Sequence, residues 1–292
     1  MKRFLPLVLA LVLLTGCADG GTGVQKQEKT VYAMDTVMTI TAYPEKNGED
    51  LSPVLDAAET EIHRLDALLS ISNEQGEIYR LNHTGTASVG QETGLLVERA
   101  LAIAADTEGA FDPTVYPLMA LWGFITEQYQ VPSQEALTRC LAAVGYDQVR
   151  VTQDGAEWNI TLPDQGGIDL GGIAKGYTAH EVIEVLERQK VSSAILSLGG
   201  NVATLGRKPD GSRWTVAVEN PDQSGDYLGT MELDGGMFAI TSGAYERYFE
   251  EDGVRYHHIL DSATGYPSDS GLTSVTVVSS DGTLADALST AL

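Results

Sequence analysis

From residue 168 onward, short apolar runs alternate with glycine-bearing turns, and only one helix-length pattern separates them before the last residues. Ile168–Leu170 reads as a short strand that meets Gly171-Gly172 and then a helix to about Arg188. Short strands are expected at Ala194–Leu198, Val202–Leu205, Trp214–Val218, Tyr227–Leu233 and Met237–Ile240. Arg255–Leu260 and Ser274–Val278 follow, and a final helix begins near Thr283. Runs of this length bounded by Gly, Asn and Asp are strand signals. Because they follow one another without regular strand–helix alternation, the fold class is α+β, with largely antiparallel sheets and flanking helices.

The first half supplies most of the helices. Val31–Tyr43, rich in Val, Thr, Ile and Tyr, reads as a strand or a short strand pair. Pro53–Leu69 places Val54, Leu55, Ala58, Ile62, Leu65 and Leu69 at helical spacing. Thr93–Glu108, closed by Gly109, and residues 134–144 are two further helices. Val149–Thr152 and Trp158–Leu162 flank Gln153-Asp154-Gly155, a hairpin turn. No repeat, zinc-finger spacing or coiled-coil heptad is present.

The beginning of the chain predicts an address. Met1-Lys2-Arg3 is basic, residues 4–14 are almost wholly apolar, and Leu14-Thr15-Gly16-Cys17 ends the run. Spanning a bilayer core of ~30 Å takes ~20 residues, so this stretch reads as a secretory signal. The small residues before a cysteine fit a lipobox. The expectation is a signal peptide at 1–16 and a lipid anchor, palmitate included, on Cys17. A flexible tether follows over 17–30, with the folded domain at 31–292. The protein would sit at the cell membrane, lipid-anchored and facing the extracytoplasmic side. An ordinary signal peptide with an incidental cysteine is the plainer alternative. Cys140 is the only other cysteine, so no internal disulfide is expected once Cys17 is lipidated, and Cys140 itself reads as a small buried hydrophobe.

The formal net charge of −23 becomes −25 once Lys2 and Arg3 leave with residues 1–16. That excess excludes nucleic acid as a partner and excludes docking on anionic lipid through a basic patch. An acidic protein handling an anionic substrate needs a metal ion between the two.

Several stretches could carry chemistry. Asp169-Leu170-Gly171-Gly172-Ile173-Ala174-Lys175-Gly176 runs from a strand through two glycines into a helix with a lysine in its first turn. Free N–H groups, the helix dipole and an ammonium suit a phosphate. The same residues also make an ordinary strand-to-helix turn with a solvated lysine. Leu198-Gly199-Gly200-Asn201 is a second glycine turn, fit for a close ligand approach or a plain hairpin. Phe111-Asp112-Pro113-Thr114 offers a carboxylate and a hydroxyl to a ligand, or simply an Asp-Pro cap. Thr241-Ser242-Gly243 precedes Tyr256-His257-His258-Ile259-Leu260-Asp261, where adjacent strand histidines face opposite ways; one could face a cleft as an acid, a base or a phosphate donor, or serve only the structure. Asp286 and Thr290 share a helix face, and a carboxylate with a hydroxyl four residues on can take two positions of an oxygen-only Mg²⁺ shell. A helix-face Asp with a Thr bonding back to the backbone is the plainer reading.

Taken in order, Met34 in a first strand, Glu77–Asn82, Phe111–Thr114, Asp169–Gly176, Leu198–Asn201, Thr241–Gly243, His258–Asp261 and Ala285–Ala291 resemble the FAD:protein FMN transferase (ApbE) family. The resemblance runs from about residue 31 to the last residue. It implies a two-part α+β enzyme with an FAD cleft between the parts. FAD is the substrate, Mg²⁺ or alternatively Mn²⁺ is the cofactor, and FMN passes to a Thr or Ser hydroxyl of an acceptor, leaving AMP. The implied acceptors are extracytoplasmic flavoproteins such as Rnf- and Nqr-type electron-transport subunits.

Carried over by motif, Asp286, Thr290 and the Ala174 carbonyl would bind the metal, and His258 with Lys175 would be catalytic. Met34, Phe111, Asp112, Thr114, Asp169, Lys175, Gly199, Gly200, Asn201, His258 and Ile259 would line the FAD site. The nucleophile would belong to the acceptor, so no Ser-His-Asp triad is needed.

Three positions depart from the pattern. Ser72 stands roughly where many relatives place a tyrosine, and Ser262 follows Asp261 where proline is usual. The chain stops two residues after Thr290, where relatives continue for some tens of residues that usually complete a sheet, so a shortened C-terminus is expected. Two other activities share the same residues: an FAD pyrophosphatase giving FMN and AMP, and a non-catalytic FAD-binding lipoprotein.

Overall fold

A computed structural model of the chain describes residues 24–222 and 224–292. The signal peptide, Cys17 and the start of the expected tether lie outside the described residues. The chain opens with β1 (Gln27–Ala33) and β2 (Thr36–Ala42), then α1 (Ser52–Leu69), α2 (Glu77–Thr84), β3 (Thr86–Val89) and α3 (Gln91–Asp106). Next come α4 (Tyr116–Trp122), α5 (Gln134–Leu141), β4 (Arg150–Asp154), β5 (Glu157–Thr161) and α6 (Ala174–Arg188). Then follow β6 (Ser193–Leu198), β7 (Asn201–Gly206), β8 (Trp214–Glu219), β9 (Tyr227–Leu233) and β10 (Phe238–Gly243). The last are β11 (Tyr248–Glu251), β12 (Val254–His257), β13 (Ser274–Ser279) and α7 (Gly282–Ala291).

The main sheet has six strands in the order β1-β2-β6-β7-β10-β13, and every pairing is antiparallel. Helices α1, α6 and α7 pack on one face. Met38 and Ile40 of β2 meet Leu55, Ile62, Val182 and Leu186 there, all 3% exposed or less. The β8–β9 ribbon covers the other face with Trp214, Val216 and Leu233 against Ile195 and Ala239. A three-stranded sheet, β3-β5-β4, joins α2 and α3 in a second core around Trp158 and Ile160. A third, mostly aromatic core gathers Leu118, Trp122, Phe124 and Leu137, with Phe249 and Tyr256 packed on it. The mixed α+β, antiparallel architecture matches the sequence expectation.

The differences are local and have local causes. β1 begins at Gln27, inside the expected tether. Its first side chains are polar and partly exposed, so they carry no apolar signal, and Gln27 fixes the strand by donating to the Glu49 carbonyl at 2.7 Å and accepting from Leu51 N at 2.8 Å. Ile168–Leu170 is not a strand. Its backbone is satisfied instead by the Asn82 side chain, which donates to Ile168 O at 2.8 Å and accepts from Ile168 N at 2.7 Å, while Asp169 N donates to Pro113 O. The expected 255–260 strand ends at His257, and Leu260 only bridges Pro267. Met34 lies not in a strand but in the β1–β2 turn with Asp35, both at positive φ (49° and 57°).

Two hairpin turns define one end of the main sheet. Met34-Asp35 and Gly199-Gly200 each put two consecutive residues at positive φ, as the tight turns between twisted strands require. The turns touch: a Cβ on Gly199 would stand 2.3 Å from Thr36 Oγ1. β10 runs past this end, because Ile240 pairs with Asn201 and Thr241–Gly243 continue beyond the turn. No helix among the described residues is long and apolar enough to cross a membrane.

Candidate functional site

Asp286 is brought to that sheet end by a close contact between α6 and α7. Gly176 and Gly282 make the contact possible: a Cβ on Gly176 would stand 2.2 Å from Gly282 O and 2.7 Å from Asp286 Cβ. The Asp286 carboxylate is 3% exposed. Gly176 N donates to its Oδ2 at 2.7 Å and Asn201 Nδ2 donates to its Oδ1 at 3.2 Å. Burial raises its pKa, opposed first by the Lys175 charge. None of the described residues forms an ion pair with it. A buried carboxylate without a countercharge is costly, and a divalent cation is the simplest group that relieves it.

The surrounding donors fit that cation. Thr290 Oγ1 would lie 3.2 Å from a Cβ on Gly172, and it donates to Asp286 O at 3.3 Å, so the back-bonded conformation expected of an ordinary helix threonine is present too. Ser242 on β10 reaches Ser289 Oγ at 2.8 Å and Thr290 Oγ1 at 3.3 Å, tying the hydroxyls to the sheet. Asn201 is 1% exposed and its Oδ1 is buried without a partner. An amide oxygen left bare beside a buried carboxylate is compatible with a cation at this place. Ala174 opens α6 and is 8% exposed.

Lys175, in the first turn of α6, is partly buried, and its charge is felt by Asp286, Glu246 and His258. His258, one residue past β12, stands on the same cleft. Protein surrounds its ring while part of the residue stays open to solvent. Burial, then the positive Arg247 and Lys175, push its pKa down to about 3, so the imidazole is neutral at physiological pH. Asp169 is partly exposed yet deep in the protein mass. Gly171 N donates to its Oδ1 at 2.7 Å, and burial raises its pKa against the pull of Arg247. Asp286 and His258 therefore lie in the field of Lys175, and His258 and Asp169 in that of Arg247, one charged neighbourhood.

The remaining candidates take different places. Phe111, 3% exposed, lies against Gly172 on the Thr290 side. Asp112 and Thr114 are buried and face inward. Thr114 donates from N (2.8 Å) and Oγ1 (2.6 Å) to Asp112 Oδ1, and Tyr146 N donates to Asp112 Oδ2 at 3.2 Å. These are the contacts of the Asp-Pro cap left open by the sequence. Asn201 stands behind Asp286 rather than on open space. Met34 packs on the core and accepts from Thr178 Oγ1 at 3.7 Å. A shallow cavity lined in part by Ser242, His257, Ile259, Ser268 and Thr290 adjoins the site.

Sequence reasoning missed Glu246 and Arg247. The Glu246 carboxyl sits near Gly200, and its pKa is raised first by burial and then, against Lys175, by Asp286. Both residues lie beyond Thr241-Ser242-Gly243 in a segment with no glycine or apolar period to mark it.

A model of the ApbE family matches residues 34–292. The chain belongs to the ApbE family. ApbE-family relatives are similar along most of their length. The FAD:protein FMN transferase of Treponema pallidum is 31% identical over 97% of this chain and 83% of its own. That of Vibrio cholerae is 34% identical over all of this chain and 87% of its own. Among solved structures, the ApbE protein of Thermotoga maritima is 36% identical, with a TM-score of 0.85 over 91% of this chain and 86% of that one. The flavinyl transferase ApbE of Pseudomonas stutzeri is 32% identical, with a TM-score of 0.78 over 92% and 84%.

Proposed function

We propose that this ApbE-family chain is an FAD:protein FMN transferase: it cleaves FAD between its phosphates and joins FMN through a phosphoester to a Thr or Ser hydroxyl of an acceptor protein, releasing AMP. The observation that carries this reading is the buried Asp286, without an ion-pair partner among the described residues, in the field of Lys175, whose charge also reaches a neutral His258. Asp286, Thr290 and the Ala174 carbonyl would hold Mg²⁺ or Mn²⁺, with Asn201 orienting the carboxylate. When bound, the metal neutralises charge on the diphosphate. Lys175, in the first turn of α6, adds a cation for the diphosphate; the N–H groups of that turn, which the sequence offered to a phosphate, are instead taken, Ala174 N by the Leu170 carbonyl and Gly176 N by Asp286. His258 takes the proton of the acceptor hydroxyl, whose oxygen bonds to the FMN phosphorus while the bond to AMP breaks. Positioning and charge neutralisation are the main requirements of such a transfer.

The lipobox residues Leu14–Cys17 support a lipid-anchored protein on the extracytoplasmic side of the cell membrane, an address that suits acceptors such as the Rnf- and Nqr-type subunits the family resemblance implies. Incubation with FAD, Mg²⁺ and an acceptor should give one AMP per acceptor molecule whose mass rises by FMN. AMP and free FMN with an unmodified acceptor would instead make the protein a pyrophosphatase. Cys17→Ser should release the protein from membranes, and unchanged membrane partition would refute the anchor.

A further inference from the structure

Arg247 and His258 are joined twice. The Arg247 carbonyl accepts from His258 N at 3.0 Å and meets His258 Nδ1 at 3.1 Å. A carbonyl oxygen only accepts, so this contact requires the proton on Nδ1 and leaves the lone pair on Nε2. The neighbouring His257 is held the other way. Its Nε2 meets the Ser268 carbonyl at 3.0 Å, which places the proton there and leaves a bare, buried Nδ1. The two adjacent imidazoles are thus fixed in opposite tautomers by two different carbonyls.

The carbonyl that sets His258 is itself anchored. Arg247 Nη2 donates to the Phe124 carbonyl at 2.7 Å. Phe124 is 1% exposed within the aromatic core, and its ring lies edge-on to His258 with centroids 6.4 Å apart. The backbone there has little room to move. Gly123 has φ 81°, and a Cβ on it would stand 2.0 Å from Gln128 O. Arg247 also directly precedes β11, whose Tyr248 pairs with His257, so the Arg247–His258 contact lies one step past the end of the β11–β12 ladder. A ladder end frays unless something ties it down, and the guanidinium is that tie.

We propose that Arg247 is a positioning residue: its guanidinium bond to Phe124 fixes the Arg247 carbonyl so that His258 is held as the Nδ1–H tautomer, with Nε2 open to the reacting hydroxyl. This rests on the reading of His258 as the proton acceptor in flavin transfer. The charged and titratable groups that act on the His258 ring are Arg247, Lys175 and His257.

The test is a long-range ¹H–¹⁵N correlation spectrum of the protein labelled at its five histidines, with His258 assigned by its loss in His258→Asn. Wild type should show a protonated Nδ1 and a bare Nε2 at His258. In Arg247→Ala the two tautomers should mix. Its kcat for flavin transfer should fall about 10–100-fold, as for loss of a residue that orients a reacting group, with KM for FAD nearly unchanged. Arg247→Lys keeps a donor able to reach Phe124 O and should restore both the spectrum and most of kcat. A wild-type Nε2–H tautomer, or an unchanged tautomer in Arg247→Ala, overturns the proposal. So does a loss confined to KM, which would make Arg247 a substrate contact. If Arg247→Ala does not fold, the wild-type and Arg247→Lys spectra still decide. The spectrum needs no substrate, so full activity of His258→Asn would sink the functional reading separately.

Discussion

Glu61, Glu92 and Glu181 meet on one side of helix α6, while Asp286 presses on its first turn from α7. The three glutamates bring carboxylate oxygens within 4.8 Å of one another, a spacing that could hold a metal. A cation already pairs two of them, while burial and the neighbouring Glu184 and Glu92 raise the pKa of the third, Glu181. Arg64 donates to both oxygens of Glu61 (2.7 and 2.9 Å) and to both of Glu92 (2.6 and 2.8 Å), and Tyr177 donates to Glu92 at 2.9 Å. Arg64 accordingly holds the Glu92 pKa below the carboxylate range. Asp286 is more deeply buried, has no ion pair among the described residues, and its pKa is raised. A cluster of acids held by an arginine thus says less about metal binding than one buried acid with no ion-pair partner among the described residues.

The largest expected effect is at Asp286. Asp286→Asn should lower flavin transfer by on the order of 10³-fold, the several kcal/mol that metal charge stabilisation supplies. The metal-free protein should not be destabilised, because a buried charge is removed. The sign follows from the raised pKa. Protonated Asp286 is favoured by folding, so its stabilising contribution is full below the unfolded pKa of 3.8 and lost as pH rises through the folded value. Metal-free thermal melts across pH should therefore be flatter for Asp286→Asn. A steep stability loss in that variant would show that the carboxylate serves the α6–α7 contact.

At His258, His258→Asn should slow transfer by about 10²–10⁴-fold with FAD still bound, whereas His257→Asn should cost far less. Because the folded pKa lies near 3, the stability His258 contributes is full above pH 6.5 and lost as pH falls toward 3. Melts of His258→Asn should be flatter in that window. Equal kinetic losses in the two histidine variants would contradict the tautomer contrast.

Thr290→Ala removes one neutral oxygen that water can replace. The Mg²⁺ needed for half-maximal rate should rise about tenfold, roughly the contribution of one good polar contact, with kcat recovered at high Mg²⁺. The smallest effect belongs to the compensated cluster. Glu92→Gln should leave transfer unchanged and cost about 0.5–1 kcal/mol in denaturant melts, since Arg64 is nearly half exposed and retains Glu61. That difference should vanish as pH falls below the Glu92 pKa, where the wild-type carboxylate is protonated as well.

The outline of the fold was legible because its core strands and long helices carry plain periods. Ile62 and Leu65 of α1, or Trp158 and Ile160 of β5, announce their buried faces. β1 was partly hidden because residues 27–30 are polar, and Ile168–Leu170 misled because an asparagine side chain does the work of a neighbouring strand. Asp286 and Thr290 could be paired on one helix face from their spacing alone. The burial of Asp286 without an ion-pair partner could not be read, since it depends on which residues approach from α6 and β7. Arg247 and Glu246 left no pattern, because their place on the cleft is set by where β10 ends and β11 begins.

The contrast between the two acidic sites is tested most directly by thermal melting of wild type, Asp286→Asn and Glu92→Gln with increasing Mg²⁺. Ligand that binds only the folded state raises the melting temperature with concentration. Wild type and Glu92→Gln should rise in parallel while Asp286→Asn stays flat. A Mg²⁺-dependent rise that survives in Asp286→Asn and disappears in Glu92→Gln would place the metal at the glutamate cluster and contradict the account.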